Sequence, residues 1–334
     1  MATFSNHPCM GIDLGSQKTM VVNQEADILL TDTGNYPPTS LEHSNLIMSF
    51  PLGSVTRPTL IAFLGRNRLL GEEAIPQKLS ENAIASFNLV LGKSFAEIQK
   101  SALFPHRKSK FSEDNGRVLV TVSYNGAEHQ FSVPALVGMF LAKLAERVTE
   151  VHGSNFKLAF AVPPTATPQY HRALLDSCEI AHLDAAKIAL YSSSDCLVAT
   201  YARKINGLRP PERVALEGKC VVLIDVGHTS ALVVVVRAHE PVKGGNDGKG
   251  PLKLGEAYSD VVGGAIFDVK MYNHFVQICE SKHATQVLFY FLYVVPQFSY
   301  CSIRLLLGLS AALDYWKLVK GFENFCLRWF DFEV

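Results

Sequence analysis

The chain has 334 residues, 48% hydrophobic and 19% charged, which suits one large or two ordinary domains with a buried core and excludes a mainly disordered chain. Its 31 Lys and Arg balance 31 Asp and Glu, so no whole-molecule field draws in nucleic acid or an anionic membrane. Seven cysteines, an odd number without a Cys-x-x-Cys pair, predict reduced thiols, a cytoplasmic address and no zinc site. Residues 1–10 contain Pro8 and no apolar core, so a secretory signal is not expected.

In chain order, Met10 to Leu14 reads as a strand entering a tight turn, with a second strand over Thr19 to Val22. Residues 33–58 are rich in Pro, Ser, Thr and Gly and read as a long loop. Leu60 to Leu70 predicts a hairpin turning at Gly65-Arg66-Asn67. Arg117 to Tyr124 and Ala127 to Val133 predict another, joined by Asn125-Gly126, the strongest two-residue hairpin signal. A helix then starts at Pro134, with an apolar stripe of Val137, Leu141, Leu144, Val148 and Val151.

Lys157 to Val162 is a strand ended by Pro163-Pro164, and helices follow over about Pro168 to His182 and Cys196 to Lys204. Cys178 and Cys196 fall on apolar helix faces and read as small core residues. Ser192-Ser193-Ser194 has no histidine base nearby and reads as a cap or turn. Cys220 to Asp225 and Ala231 to Val236 are strands flanking a turn. Gly244 to Pro251 is a loop, and Gly263-Gly264 precedes a helix over about Phe267 to Cys279. The basic run His106 to Lys110 reads as a solvated loop. Such alternation of strands and helices gives an α/β class. From about Ser281 the chain turns apolar. Leu288 to Leu313 is long enough to cross a membrane, but Pro296 and Arg304 count against a span, so a poorly integrated tail is expected.

Two segments share one pattern, a β-run, Asp-x-Gly, small polar residues, then another β-run. They are Ile12-Asp13-Leu14-Gly15-Ser16-Gln17 and Ile224-Asp225-Val226-Gly227-His228-Thr229-Ser230. Glycine lets backbone approach a phosphate and adopt positive φ, and successive N–H groups form an anion-binding nest. An aspartate at the strand end repels phosphate but holds a hydrated Mg²⁺ that bridges to it. Asp13 and Asp225 are therefore the candidate catalytic and metal-holding residues. Gly263-Gly264 before a helix offers further N–H groups. Neither turn has the Gly-x-x-x-x-Gly-Lys or Gly-x-Gly-x-x-Gly spacing, so a P-loop or dinucleotide fold is not supported.

These stretches, with Arg68-Leu69-Leu70-Gly71-Glu72-Glu73-Ala74, Val162-Pro163 and Gly263-Gly264-Ala265-Ile266-Phe267-Asp268 followed by Lys270 to Phe275, resemble the ATPase domain of the seventy-kilodalton heat-shock chaperones, in family order over residues 9–279. That resemblance implies the actin-like two-lobed ATPase fold, with ribonuclease H-like lobes: a first lobe over 9–205, an incomplete second over 206–280, and an unrelated tail over 281–334. The second turn, Gly227-His228-Thr229-Ser230, looks like the hundred-and-ten-kilodalton branch, whose members bind ATP, hold unfolded clients and exchange nucleotide on a seventy-kilodalton partner.

By position, the resemblance has Asp13 and Asp225 face Mg²⁺. Gly15, Ser16, Gln17, Gly227, His228 and Thr229 wrap the phosphates of ATP, Gly263 and Gly264 approach from the second lobe, and Pro163 takes the family's switch proline. Two positions depart from the family. Asn88 stands where it has a lysine that assists hydrolysis, and Ser193 where it has a glutamate that supports metal and water. Because phosphoryl transfer depends on positioned charge, slow hydrolysis or none is expected, and because nothing after Cys279 resembles the family's adenosine-gripping segment, ATP is expected to bind weakly. The implied role is a chaperone or co-chaperone with a seventy-kilodalton partner and unfolded clients. The alternative is a catalytically silent interaction protein.

Overall fold

A computed structural model describes residues 8–23, 56–78, 80–101, 110–206, 218–238, 251–260 and 262–283. Contacts divide the chain into Met1–Val287 and Leu288–Val334, and the second unit lies wholly outside the described residues. So do most of the predicted loops over 33–58 and Gly244 to Pro251, the basic run up to Ser109, and the apolar tail from residue 284.

Strand β1, Cys9–Leu14, buries Met10, Ile12 and Leu14 by simple alternation. It forms a hairpin with β2, Lys18–Asn23, which pairs in turn with the short β3, Arg57–Pro58. Strands β4, Leu60–Leu64, β5, Asn67–Leu70, and β6, Ala83–Ala85, form a small sheet in the order β5-β4-β6. The turn between β4 and β5 is Gly65-Arg66, and Asn67 already belongs to β5. A 3-10 turn over Phe87–Val90 and the short helix α1, Phe95–Lys100, follow, the latter closed by a Ser94–Glu97 capping box. Strands β7, Phe111–Asp114, β8, Arg117–Tyr124, and β9, Ala127–Ser132, make a second three-stranded sheet. Asn125 and Gly126 both take positive φ, 55° and 78°, as the two-residue turn requires.

Helix α2, Val133–His152, starts one residue before the expected Pro134, because Ser132 Oγ accepts from the Ala135 N–H and caps it. Its stripe is buried at Val137, Leu141, Leu144 and Val148, but Val151 is 53% exposed and corrects the expectation, since packing stops a turn before the helix does. Strand β10, Lys157–Val162, has the expected bounds, and α3, Pro168–Ile180, is capped by Thr167. Strand β11, Ile188–Ser192, completes a five-stranded sheet in the order β11-β10-β1-β2-β3, in which β1, β10 and β11 run parallel. Helix α4, Ser193–Asn206, follows.

A further sheet holds β12, Cys220–Val226, β13, Ala231–Arg237, and β14, Leu252–Ser259, all antiparallel. Leu232, Val234 and Val236 of β13 form its core, with Leu197, Val198 and Tyr201 of α4 packed against them. Helix α5, Gly264–His283, closes the described chain. Among the described residues no helix is long and apolar enough to cross a membrane.

Candidate functional site

The β1–β2 and β12–β13 hairpins present the two Asp-x-Gly turns to each other. Ser16 Oγ and Thr229 Oγ1 lie 2.9 Å apart, both side chains buried, although 213 residues separate them in sequence. Asp13 sits on β1 opposite Met20, and Asp225 on β12 opposite Leu232, each two residues before its turn glycine. Solvent reaches the Asp13 side chain, yet protein surrounds it enough for desolvation to push its carboxyl above the usual range. Repulsion from Asp225 adds to that shift, while Lys18 opposes it. The Asp13 carboxyl therefore senses the Asp225 charge across the meeting of the turns. Two carboxylates on facing turns form a natural seat for a cation. Among the described residues no three His, Cys, Asp or Glu gather as a closed metal cage. A pair of carboxylates is the donor set that suits Mg²⁺, which keeps several of its waters.

Gly15 does not take the positive φ that sequence reasoning assigns to it, and neither does Gly227. The need at Gly15 is room, because a Cβ there would lie 2.5 Å from the Lys18 carbonyl oxygen. The Gly227 N–H donates to the Ser230 carbonyl at 2.8 Å and closes the second turn. The Gly264 and Ala265 N–H groups donate to the Gly227 and His228 carbonyls at 3.1 and 2.7 Å. The glycine pair thus docks the first turn of α5 against the second hairpin. A Cβ on Gly263 would lie 2.7 Å from the His228 carbonyl oxygen. Burial, helped by the Lys78 cation, pushes the His228 imidazole down, so it is neutral at pH 7.

Around Asp13 stand two groups that sequence reasoning did not place there. The Tyr170 hydroxyl is pushed up to about 12 by burial, then by Tyr258 and Asp13, and the Cys196 thiol is raised by burial, then by Asp195 and Asp13. Cys196 is half-buried, whereas Cys178 is fully buried as expected. Ser193 opens α4. Its neighbours Ser192 and Ser194 share a 2.8 Å hydroxyl bond, and Lys253 donates to Ser194 and pairs with Asp195 at 2.6 Å. Pro163 follows β10, where its carbonyl accepts from the Ala166 N–H.

Asn88 is buried, and its Nδ2 donates to the Leu14 carbonyl at 2.8 Å, so this residue touches the first turn directly. Thr59 and Ser86, which sequence reasoning did not single out, touch it as well. Thr59 Oγ1 donates to the Gly15 carbonyl and Ser86 Oγ to the Ser16 carbonyl, each at 2.7 Å.

A family model described as Hsp70 protein matches residues 42–288. The chain is 24% identical over 285 residues to a heat shock protein homolog of Saccharomyces cerevisiae, covering 83% of this chain and 36% of that protein. It is 25% identical over 236 residues to heat shock protein 88 of Dictyostelium discoideum, covering 69% and 28%. It is 23% identical over 283 residues to the heat shock 70 kDa protein of Emericella nidulans, covering 83% and 38%. The chain spans between about a quarter and two fifths of the length of these relatives. With three quarters of its residues inside the matched region, and sheets of the mixed α/β kind that the actin-like ATPase fold requires, the chain belongs to the Hsp70 protein family.

Proposed function

We propose that the chain binds ATP with Mg²⁺ between its two Asp-x-Gly hairpins, as the nucleotide-binding part of a cytoplasmic heat-shock chaperone or co-chaperone of the hundred-and-ten-kilodalton type. In this reading residues 9–205 form a first lobe and 206–280 an incomplete second one. The observation that carries it is the direct approach of the two turns, fixed by the Ser16–Thr229 contact, with the Asp225 charge near enough to add to the upward shift that burial gives the Asp13 carboxyl. Asp13 and Asp225 would hold the hydrated metal. Gly15, Ser16, Gln17, Gly227, His228 and Thr229 would surround the phosphates, with Gly263 and Gly264 supporting the second turn. When bound, Mg²⁺ supplies charge neutralisation between the carboxylates and the phosphate oxygens. Asn88 brings no cation to the site and Ser193 no carboxylate, so slow hydrolysis or none is expected. A seventy-kilodalton chaperone and unfolded proteins are the proposed partners, in line with the heat-shock names of the relatives.

The Ser16–Thr229 bond also favours a second reading, a silent interaction protein, because hydroxyls that would meet a phosphate already satisfy each other. Calorimetry with ATP, with and without Mg²⁺, separates the two. The features behind the first reading serve the phosphate end of the nucleotide only. Binding with a dissociation constant near ~1 mM, about −4 kcal/mol, is therefore expected. It should depend on Mg²⁺ and disappear in Asp13→Asn. Absence of any binding at 10-fold higher nucleotide, roughly −3 kcal/mol or weaker, would establish the second reading.

A further inference from the structure

We infer that Thr59, Ser86 and Asn88 form a clamp on the carbonyl side of the first turn, and that Asn88 is a positioning residue for phosphate binding. This rests on the nucleotide reading above. Four successive carbonyls, Leu14 to Gln17, accept hydrogen bonds from outside the turn. Asn88 Nδ2 takes Leu14 at 2.8 Å, Thr59 Oγ1 takes Gly15 at 2.7 Å, Ser86 Oγ takes Ser16 at 2.7 Å, and the Thr59 N–H takes Gln17 at 3.0 Å. Among the described residues no peptide is cis, and in a trans peptide the N–H points opposite to the carbonyl of the preceding residue. Fixing the carbonyls of residues 14, 15 and 16 on the clamp therefore turns the N–H groups of Gly15, Ser16 and Gln17 away from it. Three successive N–H groups so oriented are the donor set of an anion nest.

The clamp is itself held. The Ser86 N–H donates to the Thr59 carbonyl at 3.1 Å, and the Thr59 and Thr19 hydroxyls lie 2.9 Å apart. Phe87, between Ser86 and Asn88, is buried edge-on against Phe140 of α2, ring centroids 5.4 Å apart. Ser86 keeps φ at +56°, a conformation that side-chain-bearing residues rarely adopt and that persists only where surrounding contacts impose it. Asparagine suits position 88 because its short amide reaches a backbone carbonyl from a buried site, where a lysine would have to bury an ammonium. Its Oδ1 is also buried and meets no hydrogen-bond partner among the described residues, an acceptor that lysine would not supply.

The decisive variant is Ser86→Gly. It removes the hydroxyl that holds the Ser16 carbonyl, yet glycine accepts the left-handed backbone without strain, so global stability should be preserved. Thr59→Val and Asn88→Leu remove the other side-chain donors, and Thr59→Ser is the rescue control. In the ligand-free full chain, hydrogen exchange of the amides of residues 15–17 should quicken about tenfold in Ser86→Gly, Thr59→Val and Asn88→Leu. It should stay unchanged in Thr59→Ser, as should exchange in the hairpin over residues 117–132 in every variant. Affinity for Mg²⁺-tripolyphosphate should fall about tenfold in the same three variants and not in Thr59→Ser. Unchanged exchange at the turn in Ser86→Gly, or faster turn exchange without weaker tripolyphosphate binding, would overturn the clamp. If the unaltered chain binds neither tripolyphosphate nor Mg²⁺-ATP, the nucleotide reading fails and the exchange pattern alone decides the clamp.

Discussion

The Ser16–Thr229 contact gives a direct measure of how strongly the two hairpins are joined. Both residues are 6% exposed, and their hydroxyls meet at 2.9 Å. Ser16→Ala leaves the Thr229 hydroxyl buried without that partner, and Thr229→Val does the same to Ser16. Each single change should therefore cost about 1–3 kcal/mol, the penalty for stranding a buried polar group. With both hydroxyls gone, no group is stranded, and two methyl surfaces meet where two hydroxyls did. The double variant should then be no less stable than the worse single one, which places the coupling at no less than the smaller single cost, about 1–3 kcal/mol. Urea unfolding of the four proteins, compared at constant slope, reads this cycle. Single costs that add to within about 0.5 kcal/mol would refute the contact as a joint between the hairpins. Repeating the cycle with saturating Mg²⁺-ATP adds a second check, since phosphate oxygens that take over the hydroxyls should shrink the coupling.

Gly263→Ala should cost about 1–3 kcal/mol, because its Cβ would meet the His228 carbonyl at 2.7 Å and strain the two amide bonds that dock α5; faster hydrogen exchange over residues 264–270 should accompany the loss. Stability against pH should show two opposed slopes. Burial and Asp225 raise Asp13 above its ordinary 3.8, so the native state holds that proton more tightly than the unfolded chain, and this group adds stability as pH falls through its native pKa. Burial and Lys78 lower His228 below its ordinary 6.5, so below that pH the unfolded chain takes the proton first and stability is lost until the native imidazole also titrates. Urea midpoints from pH 8 to 4 should lose the first trend in Asp13→Asn and the second in His228→Gln. Thiol labelling at pH 8 should modify exposed Cys220 quickly in the native protein, while Cys178, buried and pushed up to about 12, should react only on unfolding.

The elements legible in the sequence were those whose signal is local. Strand β10 alternates Leu158, Phe160 and Val162 toward the core, and Asn125-Gly126 fixes its turn by backbone preference alone. Strand β14 carries no such signal. Lys253, Gly255 and Glu256 are exposed, and it is a strand because β13 offers it a partner, with a register shift at Val235 and Val236. At the site, the paired Asp-x-Gly pattern was legible, but what holds the first turn was not. Asn88 reads from sequence as a missing cation. The structure makes it a donor to a carbonyl 74 residues away, and a side-chain bond to backbone leaves no periodicity to detect. Thr59 and Ser86 were silent for the same reason. At Gly15 the cause read from sequence was positive φ, whereas the Lys18 carbonyl excludes a side chain while φ stays ordinary.

The two hairpins reach one end by different means. In the first, side chains from two separate segments occupy the turn carbonyls. In the second, the backbone of α5 does so, through the Gly264 and Ala265 N–H groups on Gly227 and His228. The same trans-peptide geometry then turns the His228 and Thr229 N–H groups away from α5, as it turns those of residues 15–17 away from Asn88. The glycine pair before α5 thus has a reason that does not require it to touch a phosphate. Helix docking needs the close approach at Gly263, and the docked helix sets the direction of the second turn's donors. The two strands differ in their support as well. Met10, Ile12 and Leu14 of β1 are buried between neighbours on both edges, whereas Val222, Ile224 and Val226 of β12 are 55%, 66% and 58% exposed, and β13 is the one neighbour of β12 among the described residues. The second turn therefore depends more heavily on α5 than the first does on any single partner. Loosening that helix should release the second set of donors while leaving the first in place.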